Sequence, residues 1–311
     1  MSRRVVHWGS PFSLSIEPTN LCNLHCPECP AGMELLERER GNMDPELFRT
    51  IIDQLHPSLI YLNLCFQGEP FIHPHFTEFA SYAKSKGIYV SSSTNGHFLT
   101  PDIAAATVES GLDRLIISLD GTDQETYQQY RAGGSYEKVI AGIRELKKQK
   151  KSRSSQKPRL VLQFLVLKPN EGQVAKIKQL GKELGVDKVE LKTAQFYDFR
   201  HMNPLMPENP RYSRYRKVSS AVELTFEIRN RLPGHCFRMW SSCVITWDGH
   251  VVPCCFDKDA TFPMGNVRDD DFRSIWKNKA YCNFRQKILS SRKNIDICNN
   301  CTEGMGISRF L

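Results

Sequence analysis

The chain has 311 residues, with 42 Lys and Arg against 34 Asp and Glu, 11 Cys and 40% hydrophobic residues. That length supplies core for one large domain or two modest ones, and the balance of apolar and charged residues excludes a disordered or collagen-like chain. No apolar run approaches the roughly 20 residues of a membrane helix, and Arg3 and Arg4 precede no secretory-type apolar stretch. A cytoplasmic protein is expected; thiols stay reduced there, so 11 Cys point to metal rather than to disulfides.

Through the first two thirds, β-rich runs alternate with helical patterns. The runs are 12–17, 59–66, 88–93, 114–120, 160–167 and 188–191. Asp44 followed by Pro45 reads as an N-cap with Pro at the first helical position, and Leu47, Ile51, Ile52 and Leu55 form one stripe. Phe76, Phe79, Ala80 and Ala83 form a second, closed by Gly87. Thr100 and Pro101 open a third helix that ends at Ser110 and Gly111. Val139, Ile140, Ile143 and Leu146 mark a fourth; Val174, Ile177, Leu180 and Leu184 mark a fifth, stopped by Gly185. Repeated β-α units imply a parallel sheet. Six strands suit a partial barrel or a doubly wound sheet, and periodicity does not choose between them.

Seven of the eight excess positive charges sit in one acid-free run, residues 147–159, as Lys147, Lys148, Lys150, Lys151, Arg153, Lys157 and Arg159. Basicity confined to one run argues against a phosphate-binding face and so against a nucleic-acid partner. The ordinary reading is a solvated helix end; a docking patch for an acidic partner is the alternative. Residues 201–215, with three Pro, read as a linker. The last 80 residues hold seven of the 11 Cys and few periodic stretches, the composition of a module organised around metal.

Directly after the first strand come Cys22, Cys26 and Cys29, spaced C-x3-C-x2-C. Loops at the C-terminal ends of parallel strands form the active face of such folds. Three close thiolates hold three irons of a four-iron cluster and leave the fourth iron open to a small molecule. The competing zinc knuckle needs a closed fourth ligand, which here would be His25 or a distant residue.

The triad in this place resembles the radical S-adenosylmethionine (SAM) superfamily, whose signature follows the first strand of a partial (β/α)6 barrel. Other matches arrive in order: Gln67-Gly68-Glu69-Pro70 after the second strand, Thr94-Asn95-Gly96 after the third, Ser118-Leu119-Asp120-Gly121 after the fourth, then Arg131. The first looks like the family's Gly-Gly-Glu motif, with Gln67 in place of the first Gly. The resemblance implies that Gly68 and Glu69 meet the SAM amino group, and that Asn95, Ser118 and Arg131 contact its ribose and carboxylate. Many members have an aromatic residue before the third cysteine, near adenine; Glu28 stands there and leaves that contact unassigned. Each satellite motif alone is an ordinary turn or strand end; together, in order behind the triad, they carry the resemblance over residues 12 to about 195.

A second constellation is Cys236, Cys243, Cys254, Cys255, Cys298 and Cys301. With Trp247-Asp248-Gly249 as a hairpin turn, it is similar to the SPASM module or its shorter twitch form, in which a Cys, an Asp-Gly turn, a second Cys and a later C-x2-C hold an auxiliary four-iron cluster. No Cys follows Cys301, so one auxiliary cluster is expected. Cys298 and Cys301 are the first choice as ligands, and Cys254 follows on the returning strand. Cys255 would face the other way on a regular strand. Cys236, in a loop after Pro233 and Gly234, fits the family spacing better than Cys243, which is held in reserve.

The fold expected is thus a partial (β/α)6 barrel over residues 8–205 followed by a small cysteine-rich α+β domain over 230–311. The resemblance implies reductive cleavage of SAM to a 5′-deoxyadenosyl radical, hydrogen abstraction from a substrate carbon, and a net oxidation assisted by the auxiliary cluster. A flavodoxin or ferredoxin is the implied donor, with the basic run as its candidate docking patch. In sulfatase-maturing relatives an Asp follows the module's second cysteine; Cys255 stands there and lowers that option. With about 11 residues before the first strand, a small or sugar-like substrate, or a peptide brought by a partner, is expected. A maturase of a ribosomal peptide is the alternative, and a non-catalytic iron–sulfur scaffold the remote one; no catalytic acid or base is assigned. Cys65 and Cys282 read as free thiols, and Trp240, Phe272 and Trp276 as packing. His73 and His75 are weak candidates for the mouth of the site. Tyr197, Arg200, Arg211, Tyr212, Arg214 and Tyr215 are assigned to the junction between the two parts.

Overall fold

Each expected strand and stripe forms. In the computed structural model, which describes residues 5–6, 9–219, 224–229, 232 and 234–301, the barrel elements in order are β1 (Ser13–Ile16), α1 (Pro45–Leu55), β2 (Tyr61–Leu64), α2 (Phe76–Ser85), β3 (Tyr89–Thr94), α3 (Pro101–Glu109), β4 (Arg114–Ser118), α4 (Gln124–Gln128), α5 (Tyr136–Ser152), β5 (Arg159–Val166), α6 (Val174–Glu183) and β6 (Lys188–Thr193). The expected domain limits at 8, 230 and 311, and Pro233, lie outside the described residues. Asp44 caps α1, its carboxylate accepting from the Glu46 and Leu47 N–H groups at 2.8 and 3.1 Å. The stripe Leu47, Phe48, Ile51, Ile52 and Leu55 is buried against the sheet.

Strands β1 to β6 are parallel and lie side by side in chain order. A doubly wound sheet reverses its order at a switch point; this one does not, and the partial (β/α)6 barrel is the fold. All six strands therefore end on one face, where the cysteine triad and the strand-end motifs meet.

After β6 the chain makes an antiparallel ribbon, β7 (Tyr215–Ser219) and β8 (Leu224–Ile228). Then come α7 (Arg238–Ser241), β9 (Ser242–Ile245), β10 (His250–Val252), β11 (Gly265–Asn266), α8 (Phe272–Lys277), α9 (Lys279–Ser291) and α10 (Asp296–Asn299). Among the described residues, the strands of the C-terminal module join the barrel sheet. β9 pairs in parallel with β1, from Ser13↔Ser242 to Ile16↔Ile245, and β10 and β11 continue outward, giving nine strands in one sheet. Without β9, the outer edge of β1 would present unpaired N–H and C=O groups. Buried residues from both parts, such as Leu14 and Phe48 with Met239, Trp276 and Phe284, belong to one continuous core.

The basic run sits at the end of α5 and in the following loop. Lys147 donates to the Gly185 carbonyl, Lys150 to the Pro158 carbonyl, Lys148 pairs with Glu145, Arg153 with Glu109, and Lys157 with Asp113 at 2.6 Å. Five of the seven cations are thus engaged within the chain, and cations at a helix C-terminus complement its dipole.

Candidate functional site

The cysteine triad lies in the loop leaving β1. Its backbone is wound tightly: Cys29 N–H donates to the Cys26 carbonyl and Met33 N–H to the Cys29 carbonyl. A Cβ at Gly32 would lie 2.7 Å from the Cys26 nitrogen, so glycine is required where the loop closes around Cys26. Cys26 is buried and Cys22 and Cys29 are partly so. Burial pushes the Cys22 thiol up to about 11, with Glu69 and the other two cysteines adding to it; burial also raises Cys26, and the Arg131 guanidinium beside it works in the opposite direction. Such thiols are protonated at neutral pH until iron displaces the protons. His25 is held by the Gly32 carbonyl at 3.3 Å. Among the described residues, no three His, Cys, Asp or Glu side chains converge as a single ion requires; a four-iron cube spaces its thiolates more widely than one zinc with bonds of about 2.3 Å.

The strand-end motifs are wired to this loop. Gly68, at φ +73°, packs on it so closely that a Cβ would lie 2.6 Å from the Leu21 carbonyl oxygen, and Glu69 N–H donates to that oxygen at 2.7 Å. The buried Glu69 carboxylate accepts from Thr94 Oγ1 at 2.8 Å, Asn95 N–H at 2.6 Å and Phe71 N–H at 3.1 Å. Burial nevertheless pushes it up to about 7. Glu69 is therefore mainly a brace between the ends of β2 and β3, with a single lone-pair direction to spare, rather than the free acceptor its motif suggests. Asn95 Nδ2 donates to Asn23 Oδ1 at 2.8 Å, joining the third strand end to the cysteine loop. Ser118, at the end of β4, is buried. Arg131 is already engaged: Nε donates to Asp120 Oδ2 at 2.6 Å, Nη1 lies 3.9 Å from Cys26 Sγ, and the next carbonyl, of Ala132, receives His25 N–H.

In the second constellation three segments come together, carrying Cys236, then Cys254 and Cys255, then Cys298 and Cys301. Cys254 is raised by burial and by the nearby Cys255, Cys298 and Cys301, and Cys298 by burial and by Cys236. The turn at Asp248-Gly249 forms as expected, with Gly249 at φ +96°. One expectation needs correction. Strand β10 ends at Val252, so Cys254 and Cys255 lie in the turn beyond it and strand alternation does not separate them. Cys243 lies on β9, where it pairs with Leu14 of β1; its neighbours are Tyr281 and Arg285 of α9, and burial pushes it up to about 12. Tyr281 lies near Cys254 as well.

Between the two constellations runs a seam that motif reading missed. Glu17, just past β1 and fully buried, holds Arg38 in a fork with contacts of 2.6 and 2.5 Å. The same carboxylate accepts from Gln67 N–H at 3.2 Å and Trp247 N–H at 3.3 Å, while Arg38 Nε donates to the Lys258 carbonyl at 2.8 Å. Glu28 accepts from Tyr197 N–H at 3.0 Å and Asn203 Nδ2 at 2.8 Å, so it clamps the loop after β6 to the triad. Lys258 reaches back, donating to the Tyr197 hydroxyl at 3.1 Å. Tyr215 and Asn300 close the far side through the backbone of Phe196. An acidic residue ending a β-run, Glu17, was the one signal in the sequence. The junction residues Tyr197, Arg214 and Tyr215 do bridge segments. His73 does not line the mouth: buried against Phe79, it contacts the Met43 carbonyl through Nε2 and accepts His75 N–H.

Comparison with known proteins follows this geometry. The model of the radical SAM superfamily matches residues 16–180 and that of the SPASM iron–sulfur cluster-binding domain residues 236–302. The first match covers more than half of the chain, and the chain belongs to the radical SAM superfamily. It is 27% identical to a tungsten-containing aldehyde ferredoxin oxidoreductase cofactor-modifying protein of Pyrococcus furiosus, over 93% of this chain and 86% of the relative. It is 26% identical to a PqqA peptide cyclase of Streptomyces rochei, over 86% and 76%. Among solved structures, BtrN in complex with AdoMet and 2-DOIA matches with TM-score 0.59 and 19% identity, over 97% of each chain, a likeness of fold.

Proposed function

We propose that the chain is a radical SAM oxidoreductase-type enzyme that carries one SAM-binding four-iron cluster on Cys22, Cys26 and Cys29 and one auxiliary four-iron cluster on Cys236, Cys254, Cys298 and Cys301. When bound, these groups supply one-electron chemistry: reductive cleavage of SAM, hydrogen abstraction from a substrate carbon, and an acceptor for the substrate's remaining electron. The observation that carries the reading is that the open three-thiol loop and a second group of thiols flank one continuous sheet, with Glu17 and Arg38 tying the end of β1 to Gln67, Trp247 and Lys258 between them.

The chain's own residues bind, orient and exclude water. Gly68 and Glu69 set the loop against which SAM is held, Asn95 and Ser118 border it at the next two strand ends, and Arg131 braces Cys26 while Asp120 holds Arg131. The Glu28 clamp and the Lys258–Tyr197 contact bring the loop after β6 over the triad, limiting water at the site of a reactive radical. The donor of the electron is a flavodoxin or ferredoxin. A small or sugar-like substrate is the first reading; a peptide is the second, supported by the 26% identity to a peptide cyclase.

The test is anaerobic incubation of reconstituted protein with SAM and dithionite. Release of 5′-deoxyadenosine is expected. Intact SAM with about eight irons bound would leave a non-catalytic iron–sulfur scaffold.

A further inference from the structure

Arginines approach cysteine sulfurs at both constellations, Arg131 at the first and Arg238 and Arg292 at the second, where Arg238 Nη1 lies 3.9 Å from Cys255 Sγ; Arg131 and Arg292 are set differently. Arg131 Nη1 lies 3.9 Å from Cys26 Sγ, and its Nε donates to Asp120 at 2.6 Å. Asp120 is itself buried and anchored, accepting Leu165 N–H at 2.6 Å through its other oxygen. The carboxylate thus opposes the Arg131 charge beside the first triad.

Arg292, in the 3-10 turn Arg292–Asn294 after α9, is buried, and its Nη2 lies closer to its sulfur, 3.4 Å from Cys301 Sγ. Its Nη1 donates at 3.1 Å to the carbonyl of His235, the residue before Cys236. One guanidinium therefore touches a proposed ligand and the backbone next to another. Cluster potentials respond to net charge, hydrogen bonds to sulfur and solvent exposure. A cation favours the reduced, more negative state, and burial strengthens the effect.

We propose that Arg292 raises the reduction potential of the auxiliary cluster, and that Asp120, by opposing the charge of Arg131, keeps the potential of the SAM-binding cluster low. Arg292 and Asp120 are then positioning residues for electron transfer. This rests on the two-cluster reading above.

The experiment is a redox titration of the anaerobically reconstituted full chain, followed by electron paramagnetic resonance, with added SAM marking the signal of the first cluster. Arg292→Gln lowers the auxiliary midpoint enough to change its reduced-to-oxidised ratio at fixed potential at least tenfold, about 59 mV for one electron, and leaves the first in place. Arg292→Lys, which keeps the charge, loses less than half of that. Asp120→Asn raises the first midpoint and leaves the auxiliary one in place. An unmoved auxiliary midpoint in Arg292→Gln with iron retained overturns the proposal. So does an unmoved first midpoint in Asp120→Asn, which decides the matter if Arg292→Gln cannot hold its cluster. A wild-type chain that binds far fewer than about eight irons defeats the two-cluster reading instead, before any potential is read.

Discussion

The two cysteine constellations reach similar chemistry by opposite routes. The first lies within residues 22–29, in one loop whose shape comes from its own backbone bonds and from Gly32. The second, as proposed, draws on positions 236, 254, 298 and 301, which are far apart in the chain and meet only through the packing of the C-terminal module. A local loop tolerates changes elsewhere as long as the strand that launches it stays in place. A convergent site depends on every segment that contributes to it, and the seam at Glu17 makes each site depend on the other.

The sharpest way to separate the two is to remove ligands one at a time. Cys26→Ala should abolish SAM cleavage and lower the iron count from about eight to about four, leaving the auxiliary cluster intact. Serine at 236, 254, 298 or 301 should cost the auxiliary cluster instead. Cys243→Ser and Cys255→Ser should retain both. Loss of a cluster in Cys243→Ser with full iron in Cys236→Ser would reverse the ligand assignment.

Next in size is the seam itself. Glu17→Gln leaves the largely covered Arg38 without its carboxylate and loosens both Gln67 and Trp247. Breaking a buried pair in this way costs about 3–5 kcal/mol, to be read from chemical unfolding. A loss below about 1 kcal/mol would mean that the two regions are not coupled through Glu17.

Each region also holds a buried carboxyl raised by its surroundings, Glu69 in the first and Asp257 in the second. Because the folded value of Glu69, about 7, lies above the ordinary 4.5, the stability it contributes is fully present below pH 4.5 and is lost as pH rises through about 7. Relative to Glu69→Gln, the wild-type chain should lose on the order of 3 kcal/mol across that window. Unfolding midpoints measured from pH 5 to 8 check this; parallel profiles for the two chains would show an ordinary carboxyl.

The smallest expected effect is at Gly41. A Cβ there would lie 2.5 Å from the Trp247 ring, whose Nε1 donates to the Glu39 carbonyl. Gly41→Ala should cost about 1–3 kcal/mol through overpacking and leave the iron count unchanged, which distinguishes strain at the seam from damage to either cluster site.

Much of the barrel was legible in the chain because its signals are local. Asp44 and Pro45 start α1 as read, and the triad is a single short spacing. The strand-end motifs could be found because each follows its own strand. What local signals could not decide was the order of the strands, which depends on pairings between distant segments; only the sheet separates the partial barrel from the doubly wound alternative.

The sequence by itself determined the alternation of strands and helices, the triad, the Asp-Gly hairpin and the family resemblance, since each is written within a few consecutive residues. The tertiary structure alone decided that β9 extends the barrel sheet beside β1, that Cys243 lies beside Tyr281 and Arg285 of α9, and that Glu69 and Arg131 are braced by protein partners. It also decided the seam of Glu17, Arg38, Trp247 and Lys258, whose members are separated by as many as 241 positions in the chain. Hydrogen bonds and ion pairs at such separations leave no period or spacing in a sequence; they exist only once a hydrophobic core has brought their segments together.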